Sequence, residues 1–307
     1  MTVGQSENRR VKSTTAGWLR YRPTYPIYVF LIVAATLNGA TLPEASLAPK
    51  KGVLRIAVTG DTGSGSDTVA AGIARVHAQK PFDAIVLTGD NFYPCGVESA
   101  DDPRWSLVSA LTRIGIPVFP VLGNHDSCGK ADPDAQILAP LPNWQFPARE
   151  YAVRAGVADF AFVDTNPYVK GRSRQLESSL RDVFASSKAR WRVVVGHHPV
   201  ISSGYHGYFP RDEVKRMRAV IPTLRDVKAD LYICGHDHHL ELLRGRMLHL
   251  VSGAGSSPVP PIKLRLSTVY PNEIRRERIG FAVVEIRAKS IRVRFYDAKG
   301  RAKSEWL

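Results

Sequence analysis

From Val53 onward the chain alternates short apolar runs with longer amphipathic stretches. Strand-like runs occupy 54–59, 84–88, 117–121, 158–163, 192–195, 230–234 and 247–251. Helical spacing fills the intervals. Residues 67–80 open on Asp67 as a capping residue and carry an apolar stripe through Val69, Ile73 and Val76. Asp102-Pro103 opens a second helix, with Asp at the cap and Pro in the first turn. Two more cover 173–186 and 211–228, the latter interrupted near Pro222. After Ser257 a Pro-rich, basic stretch (258–278) leads to FAVVEIRA and SIRVRFYDA, whose alternation predicts an antiparallel hairpin. Mixed α/β followed by terminal antiparallel strands predicts one domain containing more than one sheet.

Five of the apolar runs share an ending. LRIAVTGD, AIVLTGD, PVFPVLGN, RVVVGH and LYICGH each stop at glycine and deliver a metal-capable residue next: Asp61, Asp90, Asn124, His197 and His236. In open α/β sheets the carboxyl ends of the strands are where ligands bind. Glycine there permits a tight turn and a close backbone approach. A single GD or GH is a common strand ending, and Asn124 alone reads as a turn residue. Five such endings in one chain point to one shared site.

The 307 residues are 44% hydrophobic and 23% charged, which suits one large globular domain or two small ones. A net charge of +14 favours anionic partners or simply a basic, soluble surface. No RNA- or DNA-binding motif, heptad or internal repeat is present, so nucleic acid is not an expected partner. The first 50 residues differ from the rest, and we divide the chain into 1–50 and 51–307. Arg9, Arg10, Lys12, Arg20 and Arg22 precede an apolar run, Ile27 to Leu37, followed by small residues. This reads as an export signal, giving a periplasmic or secreted protein. The alternative is an uncleaved membrane anchor over 27–42, although a spanning helix needs about 20 apolar residues. Export places the three cysteines where disulfides persist. Cys95 and Cys128 follow the second and third ligand loops. If those loops converge, their sulfurs can bridge, though spacing alone does not establish the geometry. Cys234 lies inside a strand-like run and reads as a buried free thiol.

The full candidate ligand set is Asp61, Asp90, Tyr93, Asn124, His197, His236 and His238. Hard oxygen donors with imidazole suit iron, zinc or manganese, and no cysteine cluster points to structural zinc or iron–sulfur. Seven candidates exceed one catalytic ion and suffice for two ions sharing a carboxylate. Paired ions are a usual device for phosphate-ester hydrolysis. His198 and His239 read as pocket wall or support. His77 and His249 read as structural, Asp83 and Asp164 as turn or supporting residues. The basic stretch 258–278 is either a lid or a solvated loop, and Tyr205 and Tyr208 either line the pocket or pack.

In order, GD, GDNFY, GNHD, GHHP and GHDH resemble the five-block signature of purple acid phosphatases, within the calcineurin-like metallophosphoesterase superfamily. GDNFYPCGV, the YHG after the fourth block, YICGHDHHL and VSGAG resemble the small tartrate-resistant type. The likeness runs from about Leu54 to the end. It implies a four-layer α/β/β/α sandwich, two mixed sheets flanked by helices. It also implies an Fe(III) held by Asp61, Asp90, Tyr93 and His238. A divalent ion (Fe, Zn or Mn) would be held by Asp90, Asn124, His197 and His236, with Asp90 bridging. The implied activity is hydrolysis of small phosphate monoesters by a hydroxide that the metals activate. His125 would bond the phosphoryl group, Asp126 would orient His125, and His206 would protonate the leaving alcohol. Tyr93 argues against the alternative, a phosphodiesterase of the same fold. A non-catalytic pseudophosphatase is disfavoured because every ligand position is filled.

Overall fold

The computed structural model describes residues 42–49, 52–137, 139, 141–172, 175–209, 211–263, 265, 268 and 278–306. Residues 1–41, which contain the run read as an export signal or anchor, and most of 264–277 in the basic stretch, lie outside the described residues. Among the described residues, no helix is long and apolar enough to cross a membrane.

In chain order the strands are β1 (Glu44–Ser46), β2 (Leu54–Thr59), β3 (Ala84–Leu87), β4 (Val118–Pro120), β5 (Tyr151–Arg154), β6 (Ala158–Phe162), β7 (Trp191–Val195), β8 (Leu231–Cys234), β9 (Leu240–Leu243), β10 (Leu248–Ser252), β11 (Gly280–Arg287), β12 (Ser290–Asp297) and β13 (Ala302–Trp306). The helices are α1 (Asp67–Gln79), α2 (Ser106–Thr112), α3 (Asn166–Val169), α4 (Gln175–Ala185), α5 (Tyr205–Tyr208), α6 (Asp212–Ala219) and α7 (Ile221–Asp226). One sheet runs β1-β5-β6-β7-β8-β10-β9 and the other β13-β12-β11-β2-β3-β4. Both are mixed: β2, β3 and β4 are parallel while β11 joins β2 antiparallel, and β6, β7, β8 and β10 are parallel while β9 joins β10 antiparallel.

The strands read as unbroken apolar runs because both faces are covered. In β6 and β7, Phe160, Phe162, Val193 and Val195 join the core between the sheets. Their alternates Ala161 and Val194 face the helix layer with Leu180, Phe184, Met217 and Leu224. The sheets meet directly: the rings of Phe119 on β4 and Phe162 on β6 lie 5.9 Å apart. The buried Tyr151 hydroxyl on β5 donates across the gap to Pro120 O at 2.8 Å.

Four differences from the sequence reading stand out. Ser66, not Asp67, occupies the cap of α1, and its hydroxyl donates to Leu107 O at 2.6 Å rather than to its own helix. The strands β5 and β9 are only four residues each and are stabilised by neighbours, so their local pattern is weak. β13 closes the edge beside β12. Glu44–Ser46, read as part of the leader and linker, pairs in parallel with β5, and Arg154 binds Glu44 at 2.5 Å. The sheet therefore takes in residues before 51.

His249 on β10 is buried, 5.6 Å from the Tyr232 ring, with no hydrogen-bond partner for Nε2 among the described residues. Burial pushes its imidazole down to about 4. The unfolded chain takes up the proton first, near 6.5, so stability drops as pH falls from there toward 4. The loss over that window is about 3 kcal/mol. His249→Phe is similar in size and does not titrate, so it should flatten this limb. Denaturant midpoints between pH 7 and 4 decide it; a variant curve parallel to the parent's refutes the assignment.

Candidate metal centre

The five glycine-terminated runs converge. The loops after β2, β3 and β4 in one sheet meet those after β7 and β8 in the other, all at carboxyl ends. The glycines serve mainly close approach. A Cβ on Gly60 would stand 1.9 Å from Thr88 Oγ1, one on Gly123 2.0 Å from Asp90 Oδ1, and one on Gly235 2.4 Å from Asp61 Oδ2. The left-handed turn falls largely on the candidate ligands themselves: Asp61, Asp90 and His236 have φ of 55°, 52° and 65°. Such positions cost about 1–3 kcal/mol each and persist where surrounding structure enforces them. Of the five glycines, Gly89 has a positive φ, 91°, so it shares the turn with Asp90.

Two donor clusters result. In the first, Tyr93 Oη lies 3.1 Å from Asp90 Oδ2, 3.3 Å from Asp61 Oδ1 and 3.1 Å from His238 Nε2. In the second, His197 Nε2 lies 3.1 Å from both Asn124 Oδ1 and His236 Nδ1, and 3.5 Å from Asp90 Oδ1. Asp90 thus turns one oxygen to each cluster. His197 Nδ1 lies 2.8 Å from Thr88 O, and His238 Nδ1 lies 2.8 Å from Ser257 O. A proton held on each Nδ1 leaves Nε2 bare toward its cluster.

Asp61 and Asp90 are 0% and 1% exposed, and their charged partners among the described residues are histidines. Burial opposes ionisation of His238, but the Asp61 carboxylate outweighs it and raises the imidazole to about 9. Tyr93 is held neutral: burial, then Asp61 and Asp90, push the phenol far above its ordinary range. One phenol proton cannot serve both converging carboxylate oxygens, Asp61 Oδ1 and Asp90 Oδ2. Two buried carboxylates, a phenol oxygen, an amide oxygen and three imidazoles facing inward suit hard or borderline cations. The donor set therefore fits a pair of ions, and the described residues include the matching group Asp61, Asp90 and His238.

The residues proposed for chemistry flank these clusters. His125 donates its backbone N–H to Asp90 Oδ1 at 2.9 Å, and its ring stands edge-on to Tyr93 with centroids 4.6 Å apart. Its Nδ1 lies 2.6 Å from Pro94 O. Asp126 forms no hydrogen bond with that ring among the described residues, contrary to the expected orienting role. Instead it is fully buried and accepts from Gly123 N at 2.8 Å, Asn91 N at 3.1 Å, Phe92 N at 3.3 Å and Gln136 Nε2 at 3.2 Å. It braces the loop carrying Asp90 against the loop carrying Asn124. Cys95 and Cys128 form a disulfide between the same two loops, and Cys234 is free and buried.

His206 opens onto a cavity of about 240 Å³ lined with Tyr205, His236, His238 and Val259. Tyr208 is not among its lining residues. Two residues outside the expected set hold this region. Asp237, between His236 and His238, accepts from His206 N at 2.9 Å and Gly207 N at 3.0 Å. Glu213 on α6 lies 3.1 Å from His206 Nδ1. The Asp237 position was visible as the middle of His-Asp-His, whereas Glu213 carries no sequence signal. His198 Nδ1 lies 2.7 Å from Thr165 Oγ1, and His239 Nε2 lies 3.1 Å from Glu241 Oε2, so both support the wall. His77 accepts from Phe82 N at 3.0 Å, and Asp83 accepts from Arg55 N at 2.7 Å. Asp164 holds Asn166, which donates to Gly123 O at 3.1 Å beside Asn124.

A family profile described as calcineurin-like phosphoesterase matches residues 54–240. Purple acid phosphatase 3 of Arabidopsis thaliana is 28% identical, over 94% of this chain and 88% of its own. Tartrate-resistant acid phosphatase type 5 of Rattus norvegicus is 29% identical, over 75% of this chain and 80% of its own. Among solved structures, GAP50, described as the anchor in the inner membrane complex of Plasmodium, superposes with a TM-score of 0.68 at 27% identity, covering 83% of this chain and 88% of that one. The purple acid phosphatase PPD1 of yellow lupin shares the fold, with a TM-score of 0.62 at 15% identity over 87% of this chain and 56% of its own.

Proposed function

The chain belongs to the calcineurin-like phosphoesterase family, and from that premise we propose that it is a purple-type acid phosphatase, hydrolysing small phosphate monoesters at a dinuclear centre. The observation that carries this reading is Asp90, whose Oδ2 faces Tyr93 and whose Oδ1 faces His197. Asp61, Asp90, Tyr93 and His238 would hold a ferric ion; Asp90, Asn124, His197 and His236 would hold a divalent one. When bound, such ions lower the pKa of water and counter charge on phosphate oxygens. Tyr93 supports the ferric assignment, because a phenolate is a hard anionic donor. His125, fixed through its backbone to Asp90, is placed to bond a phosphoryl oxygen. His206, facing the cavity, supplies the proton for the leaving alcohol. The Cys95–Cys128 disulfide supports export, since disulfides persist outside reducing compartments.

GAP50 is described as an anchor, and its likeness to this chain favours one competing reading: a binding protein that does not turn over substrate. Iron-loaded protein separates the two. The expected result is a visible absorption band that Tyr93→Phe removes, with 4-nitrophenyl phosphate cleaved at least about tenfold faster than its bis-ester. Colourless protein that is active implies zinc or manganese instead of iron. Protein that binds metal and cleaves neither ester supports the anchor reading.

A further inference from the structure

Glu213 belongs to none of the five motifs, yet its Oε1 faces two site histidines at once. It lies 3.1 Å from His206 Nδ1 and 3.6 Å from His236 Nε2. These three side chains form a compact group, and the two rings are 3.9 Å apart between centroids. The placement follows from the helix. Val214 and Met217 bury α6. Asp212, one residue before Glu213, stays 77% exposed and pairs with Lys215, whereas Glu213 turns inward to 29% exposure. His236 Nδ1 points at His197 and the second donor cluster. For Nδ1 to offer a lone pair there, the ring proton must sit on Nε2, which is buried and makes no hydrogen bond among the described residues, with the Glu213 carboxylate 3.6 Å away to receive it. A carboxylate behind a metal-binding imidazole fixes its tautomer and strengthens it as a donor. The same carboxylate holds Nδ1 of His206, leaving Nε2 as the nitrogen available to a substrate.

We propose that Glu213 is a positioning residue shared by the two histidines. It sets the tautomer of His236 for the divalent ion and orients His206 as proton donor, so one carboxylate links metal retention to leaving-group protonation. The second half rests on the phosphatase reading above. The test uses the full chain, reconstituted with iron and zinc, as parent, Glu213→Gln, Glu213→Asp and the same-helix control Asp212→Asn. Zinc content is measured after dialysis against graded chelator, and kcat is measured on 4-nitrophenyl phosphate and on an alkyl phosphate. Glu213→Gln should lose zinc at about tenfold lower chelator. Its kcat should fall about tenfold more on the alkyl ester, whose poor leaving group needs the proton, than on the nitrophenyl ester. Glu213→Asp should recover part of both, and Asp212→Asn should match the parent. Unchanged zinc retention, or equal losses on the two esters, overturns the shared role. If the parent cleaves neither ester, the phosphatase reading falls separately. Zinc retention and the imidazole ¹⁵N tautomer signature of His206 then decide the role of Glu213.

Discussion

Asp90→Asn is expected to lower kcat on phosphate esters on the order of 10³-fold and to leave less than one full pair of ions bound. Asparagine is the informative replacement. Asp90 sits at φ 52°, and asparagine tolerates left-handed backbone better than alanine does. The variant therefore keeps the turn and the shape while removing the charge. One amide oxygen still faces one donor cluster, but the NH₂ group that replaces the other oxygen cannot bind a cation. The change also removes the negative partner 3.5 Å from His197 Nε2. Elemental analysis of metal content, read beside kcat, checks the expectation. Two retained ions together with more than a tenth of the parent rate would show that Asp90 is not shared.

The second large effect is on stability. Asp126→Ala should destabilise the protein by about 4 kcal/mol, because a fully buried acceptor facing five donors disappears and leaves them buried without a partner. For a domain of this size that is a melting temperature lower by roughly 10 °C. The affected donors, Asn91 N, Phe92 N and Gly123 N, flank Asp90 and Asn124, so metal retention should weaken with the fold. His125→Ala is the contrast: its side chain is half-buried beside Tyr93, so activity should fall with a melting shift of only about 2–3 °C. Thermal melts of both variants decide between a brace and an orienting role for Asp126. An alanine variant melting within 2 °C of the parent would restore the orienting role.

Much of the site was legible because its candidate ligands sit at fixed positions after apolar runs. A strand that ends at glycine places the next residue at the sheet edge whatever the rest of the chain does. Asp61, Asp90, Asn124, His197 and His236 could therefore be read one loop at a time, and the residues that break the rule, Tyr93 and His238, lie together in the first cluster. The longer helices were legible by period, apart from the cap at Ser66, whereas the four-residue α3 and α5 were not. The short strands β5 and β9 were not, since four residues hold too little pattern and owe their pairing to neighbours.

The roles of single polar residues divide along the same line. The sequence alone determined which residues can bind metal, the order in which they occur, and the runs that carry them to a common edge, because these depend on local propensity and period. Only the tertiary structure decided that Asp90 faces two clusters, that Asp61, Asp90 and His236 bear the left-handed turns, that Asp126 holds loops rather than His125, and that Glu213 reaches His206 and His236. Each of those outcomes depends on which loop or helix face packs against which. That choice is made by burial summed over the whole core, and no short stretch of sequence contains it.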